Sequence, residues 1–246
     1  MPTNALLTKT AKGVLLLALC LGLVACAPGK LSVAKNLSAA AQAYTAAPPQ
    51  AARSLLVVGD STGVGTGASS AQTSLAGLIG KDHPHWRIDN LAVNGAKFED
   101  VVEQLAQAQG GYDMVLVLAG GNDVMRGTSQ KTLRTHMEQA IGLAQLKGRH
   151  VVLMPCGDVG LAPFFWPPLS WWMSSRAKDL HATAKEVAHA TGITYVRLLK
   201  PRENNPFVLR SDELHAADSL HPSDAGYQQW YEELQQQGGL APMLQP

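Results

Sequence analysis

Five short strand-like runs, at residues 54–59, 86–91, 114–118, 150–155 and 194–198, punctuate the chain, and amphipathic stretches separate them. That alternation argues for a parallel sheet covered on both faces. Between the second and third, Phe98, Val101, Val102 and Leu105 recur at i, i+3, i+4 and i+7, which places one apolar stripe along a helix. Leu133, Met137, Ile141 and Ala144 repeat the pattern in the next connection. Strands alternating with helices predict an α/β fold of three layers, α/β/α, around a flavodoxin-like parallel sheet of about five strands. No internal repeat and no shift in composition calls for a second domain, so residues 54–240 are expected to form a single unit.

The first fifty residues follow another pattern. Lys9 and Lys12 precede an unbroken apolar run at residues 14–25, which reads as the charged and hydrophobic regions of a secretory signal and is too short to span a bilayer comfortably. The run ends in Leu23-Val24-Ala25-Cys26, which resembles the lipobox of bacterial lipoproteins. That resemblance implies removal of residues 1–25, acylation of Cys26, and a protein held at a membrane of the cell envelope by an N-terminal lipid. Ala27 stands where an aspartate is associated with inner-membrane retention, which favours the outer membrane. Residues 26–53 are rich in Ala, Pro, Ser and Gln, with a Pro48-Pro49 break, and are expected to form a flexible tether on the order of 30 Å long.

Composition narrows the partners. A hydrophobic content of 46% with 16% charged residues supports a substantial core. The formal charge of +1 becomes −1 once Lys9 and Lys12 leave with the signal, so nothing favours nucleic-acid binding. Of the three cysteines, Cys20 leaves with the signal and Cys26 carries lipid, which leaves Cys156 without a disulfide partner and, at the end of an apolar run, buried. A monomer is expected.

Four polar motifs fall in order along this apolar framework: Gly59-Asp60-Ser61, Asn94-Gly95, Gly120-Gly121-Asn122-Asp123, and Asp218-Ser219-Leu220-His221. The first three directly follow the first three strands, and in open parallel sheets the loops beyond the strands' carboxyl ends converge on one rim. Together they supply a hydroxyl nucleophile, an imidazole base, a carboxylate to orient it, and hydrogen-bond donors for an oxyanion. Neither G-x-G-x-x-G nor a P-loop lysine accompanies the first turn, which argues against a phosphate cradle.

In these blocks the chain resembles the GDSL or SGNH hydrolases, over residues 55–231. The resemblance implies Ser61 as nucleophile, His221 as base and Asp218 as its orienting carboxylate. It also implies an oxyanion hole from the Ser61 and Gly95 backbone N–H groups and the Asn122 amide. Thr62 departs from the leucine of the family's name-giving motif. Asp212-Glu213-Leu214-His215 also matches Asp-x-x-His, but Pro222 biases His221 into a loop at the entrance of a helix through Tyr227, Trp230 and Leu234, with Pro222 in its first turn. His215 is then a surface or lid residue. Asp60 and Asp123 beside their turns are read as backbone caps rather than metal ligands, and no metal or cofactor is expected. His83 and His85 are assigned to a solvated loop.

Residues 160–173 hold five of the chain's fourteen aromatic residues just after the fourth strand. Phe165, Trp166 and Trp171 are the substrate-binding candidates there. Lining an acyl pocket, closing as a lid, dipping into a membrane interface and folding onto the core all remain open to this segment. The expected activity is cleavage of carboxylic esters or thioesters, lipid-like or short-chain. A carbohydrate O-deacetylase of envelope polysaccharide and a non-catalytic glycan- or lipid-binding lipoprotein are the alternatives.

Overall fold

The computed structural model describes residues 28–238. The expected signal segment, residues 1–25, and Cys26 lie outside the described residues. Five parallel strands, β1 (Arg53–Gly59), β2 (Trp86–Asn90), β3 (Tyr112–Leu118), β4 (Gly148–Leu153) and β5 (Thr194–Tyr195), form one sheet in the order β2-β1-β3-β4-β5. β1 and β3 are central and read as continuous apolar runs because helices cover both of their faces. Their residues Leu55 to Val58 and Met114 to Val117 have no solvent exposure.

The described residues begin with α1 (Pro28–Ala40), and between β1 and β2 lie α2 (Ser61–Val64) and α3 (Leu75–Asp82). Then come α4 (Phe98–Gln107), α5 (Gly121–Met125), α6 (Gln130–Lys147) and α7 (Leu169–Thr191), and after β5 two short turns, α8 (Pro206–Leu209) and α9 (Ser211–Leu214), precede α10 (Asp224–Gln237). Helices α4, α6 and α7 pack side by side, while α10 packs with α3. The expected stripes are the buried faces: Phe98, Val101 and Leu105 of α4, and Leu133, Met137, Ile141 and Ala144 of α6. Serine hydroxyls cap the starts of α3, α6 and α10, Ser74 accepting from Gly77 N, Ser129 from Thr132 N and Ser223 from Gly226 N. Pro222 therefore sits just ahead of the cap of α10 rather than in its first turn.

β5 is shorter than the apolar run at residues 194–198. Beyond it the Gln237 side chain takes over the backbone of Arg197, accepting from its N–H at 3.0 Å and donating to its carbonyl at 3.4 Å.

The expected tether is instead part of the packed molecule from residue 28 onward. Ala34 of α1 is buried and its neighbours Val33, Leu37 and Ser38 are half-buried on the same face. Lys30 Nζ donates to Pro163 O at 2.8 Å, and Asn94 Nδ2 donates to Ser38 O at 2.9 Å. Further on, Ala46 and Ile88 exchange backbone hydrogen bonds of 3.0 and 2.8 Å, and the Tyr44 ring lies against Gly80. An open sheet edge at β2 is an unpaired row of backbone groups, and covering it is the physical reason this segment docks.

Candidate active site

Ser61 follows the last residue of β1 by two positions, and the turn that delivers it has no room for a side chain at Gly59. The residue has φ +143°, and a Cβ there would lie 1.8 Å from Leu118 O on the adjacent strand. Gln104 from α4 grips the same residue, accepting from Gly59 N at 2.7 Å and donating to Gly59 O at 2.9 Å. Asp60 then caps α2, its Oδ1 accepting from Thr62 N at 2.9 Å and from Thr62 Oγ1 at 2.7 Å. The residue that departs from the family motif thus supplies a second donor to the buried carboxylate. Burial pushes the Asp60 carboxyl up to about 6, against the pull of those two donors.

The other half of the site comes from the loop before α10. Asp218 is fully buried, and its Oδ1 accepts from Leu220 N at 2.9 Å and His221 N at 3.0 Å, forming a tight turn in which Ser219 takes φ +61°. The turn brings the imidazole back onto its own carboxylate, with His221 Nδ1 and Asp218 Oδ2 2.5 Å apart. A carboxylate can only accept, so Nδ1 carries the proton and Nε2 of the neutral ring is free to accept. His221 Nε2 lies 2.9 Å from Ser61 Oγ, which donates to it. Burial alone would raise the Asp218 carboxyl; the His221 hydrogen bond, the attraction of the imidazolium form and the two backbone N–H groups outweigh it and hold it below its ordinary value.

Asn122, in the first turn of α5, lines the same cavity as Ser61 and His221. One of its two amide protons goes to Ala96 O at 3.1 Å, which ties the third motif to the second and leaves the other proton for a ligand. Gly95 lies beside Ala96 at φ +82°, but lines a neighbouring cleft with Asn94 and Arg126 rather than the cavity. Asp123 accepts from Phe98 N at 3.0 Å and so caps α4, as Asp60 caps α2. Among the described residues no group of three His, Cys, Asp or Glu side chains could hold a metal ion.

The cavity itself is small, about 90 Å³, and its walls beyond Ser61, Asn122 and His221 are Met125, Val159, Leu161, Leu198, Leu220, Phe207 and Trp230. His215 lines it too, half-buried, with Nδ1 3.0 Å from Ser211 O and its ring edge-on to Phe207 at 5.2 Å. It is a wall residue and not a surface one. Phe165, Trp166 and Trp171 are not in this cavity. Phe165, partly buried against the core, and Trp171 line an outer groove bordered by the 158–162 loop, while Trp166 and Trp171 are 65% and 70% exposed.

The floor is held by a group without a motif of its own. His181 of α7 donates from Nε2 to Cys156 O at 2.7 Å and accepts at Nδ1 from Tyr195 OH at 2.5 Å, its ring kept neutral by burial, which pushes it down to about 4. Cys156 is buried as expected, with its thiol pushed well above the usual range by burial. His83 caps the end of α3 and stacks on Trp86 at 4.6 Å.

Residues 57–229 match the model of the GDSL-like lipase/acylhydrolase family, a span that contains all four motifs. A search of curated proteins returned no match. Among solved structures the chain is similar to TesA, at 22% identity over 75% of this chain and 97% of that one, with a TM-score of 0.58. An extracellular lipase from Streptomyces rimosus is 18% identical over 76% of this chain and 100% of its own, with a TM-score of 0.60. Axe2, an acetylxylan esterase from Geobacillus stearothermophilus, is 18% identical over 77% of this chain and 95% of its own, with a TM-score of 0.55. At these identities the structures speak for the fold, and it is the family match over most of the chain that assigns it: this protein belongs to the GDSL-like lipase/acylhydrolase family of carboxylic ester hydrolases.

Proposed function

We propose that the protein hydrolyses short-chain carboxylic esters through an acyl-enzyme on Ser61. The observation that carries the reading is the unbroken hydrogen-bond chain Ser61 Oγ to His221 Nε2 and His221 Nδ1 to Asp218 Oδ2 in a small, partly open and largely apolar cavity. In this mechanism Ser61 Oγ attacks the ester carbonyl as its proton passes to His221 Nε2. Asp218 holds the ring in the required tautomer and stabilises the imidazolium. The free Asn122 amide proton and the backbone N–H of Ser61 receive the negative oxygen. His221 then protonates the departing alcohol, and a water activated by the same ring releases the acid.

Chain length follows from space. On this measure a water-sized group takes ~10–15 Å³, so a volume of about 90 Å³ holds about six to nine such groups; acetyl to butyryl groups fit and a whole palmitoyl chain does not. This favours small acyl groups over the long-chain lipid reading. It also supports deacetylation of an envelope glycan as the second form of the same chemistry, in line with the acetylxylan esterase among similar structures. The envelope location and lipid attachment at Cys26 are part of the proposal and rest on the sequence of residues 1–27.

A series of p-nitrophenyl esters from acetate to palmitate tests it. The expected result is a maximum in kcat/KM at acetate to butyrate, abolished by Ser61→Ala. A maximum at palmitate overturns the chain-length assignment, and activity retained by Ser61→Ala overturns the mechanism.

A further inference from the structure

Eight large hydrophobic side chains are exposed among the described residues, and four of them, Trp166, Leu169, Trp171 and Trp172, fall within one stretch of seven residues at the start of α7. The three indoles are 65%, 70% and 44% exposed, whereas Trp86 and Trp230 are buried. With about 250 Å² for a whole indole side chain, they present on the order of 400 Å² of aromatic surface in all. The patch is also stiff. Phe164 N donates to Ser219 O at 3.1 Å in the catalytic loop, and the Arg176 guanidinium stacks on Trp172 at 5.0 Å while its Nε donates to Val124 O at 3.2 Å.

We infer that this face docks on a lipid bilayer, with Trp166, Trp171 and Trp172 seated at headgroup depth. Two observations choose lipid over a protein partner. The first is where the chain enters the fold. Lys30 is bonded to Pro163 O, so residue 30 sits at the edge of the aromatic loop, and Cys26, four residues earlier, reaches at most about 14 Å from it. An acyl chain on Cys26 would put the bilayer beside these tryptophans, and the packed segment from residue 28 leaves no long tether to hold the domain away.

The second is charge. Behind Trp171, the outer groove carries Lys178, Arg197, Lys200 and Arg202 against the acids Asp158 and Glu203, with Glu233 paired to Lys200. Indoles at the headgroup level flanked by cations suit an anionic lipid surface. Asp158, Leu161 and Ala162 border both the groove and the catalytic cavity, so a docked molecule keeps its catalytic rim close to the membrane plane. Docking rests on the proposed lipid at Cys26 for its direction and on the exposed indoles for its substance.

The test is quenching of tryptophan fluorescence in the full chain, purified from membranes and reconstituted into vesicles of equal parts phosphatidylcholine and phosphatidylglycerol, with bromine high on the acyl chains. Strong quenching is expected. It should fall about threefold or more in the Trp166→Ser, Trp171→Ser, Trp172→Ser variant, which keeps only the buried Trp86 and Trp230. If that variant melts early, Trp171→Ser alone serves, with a smaller loss expected. Wild-type protein that stays unquenched on the vesicles, or variants quenched as strongly as wild type, overturns the docking face. Intact mass reads the lipid separately. An unacylated chain that is still quenched overturns the anchor and not the docking face, and an acylated chain left unquenched overturns the docking face and not the anchor.

Discussion

Replacing Asp60 with asparagine should change how stability depends on pH, in a direction opposite to that of most aspartates. Asp60 is 2% exposed and its carboxyl is raised by burial from 3.8 to about 6. Between those values the folded chain holds a proton that the unfolded chain has released, so stability from this group is greatest below about pH 4 and declines as pH rises to about 6. Above that the loss is complete and constant. At about 1.4 kcal/mol per unit, a rise of roughly 2 units corresponds to about 3 kcal/mol. The amide of the variant would keep an oxygen to accept from Thr62 N and Thr62 Oγ1 but has no charge to desolvate. The stability of Asp60→Asn relative to wild type should therefore increase by about 3 kcal/mol between about pH 4 and about pH 7, measured by urea unfolding with linear extrapolation. Taking the difference between the two proteins cancels the titrating groups that do not interact with Asp60. A difference that stays flat across that window would refute the burial argument, and one that shrinks would reverse its sign.

Asp218→Asn should leave the fold intact and lower kcat about 10⁴-fold, because an amide that donates to Nδ1 favours the tautomer unable to accept from Ser61; steady-state kinetics on p-nitrophenyl acetate reads it. Asn122→Ala should reduce kcat ~100- to 1,000-fold with KM little changed, since its remaining amide proton matters most when the oxyanion forms; an equal loss through KM alone would assign it to ground-state binding. Gln104→Leu should destabilise by about 1–3 kcal/mol by leaving the buried Gly59 N–H without its acceptor, seen as a lower urea midpoint at unchanged m.

The central strands and the polar motifs were legible because each is fixed by local constraints. A strand buried on both faces has to be apolar throughout, and Gly59 has to be glycine beside Leu118 O. The histidine was legible because Pro222 separates the loop of His221 from the helix that follows. His215 was placed wrongly because its burial depends on Phe207 and on the pairing of His215 with Pro222, contacts set by tertiary packing alone.

The same holds for the cavity walls. Leu198, Phe207 and Trp230 come from three segments with no shared period. Gln104 did leave a signal, an uncharged polar residue one position from Leu105 on the buried side of α4, where only a buried backbone partner repays it. For residues 28–53, composition hid the face of Val33, Ala34, Leu37 and Ser38 that docks α1. For Phe165, Trp166 and Trp171, the position after β4 was informative but the direction of the rings was not, since it depends on where α7 begins.

Peptide mapping by mass spectrometry after treatment with a fluorophosphonate identifies the nucleophile. One phosphonyl adduct is expected, on Ser61, formed far more slowly in His221→Ala. An adduct on another residue, or full esterase activity in protein that takes up none, would contradict Ser61 as the nucleophile.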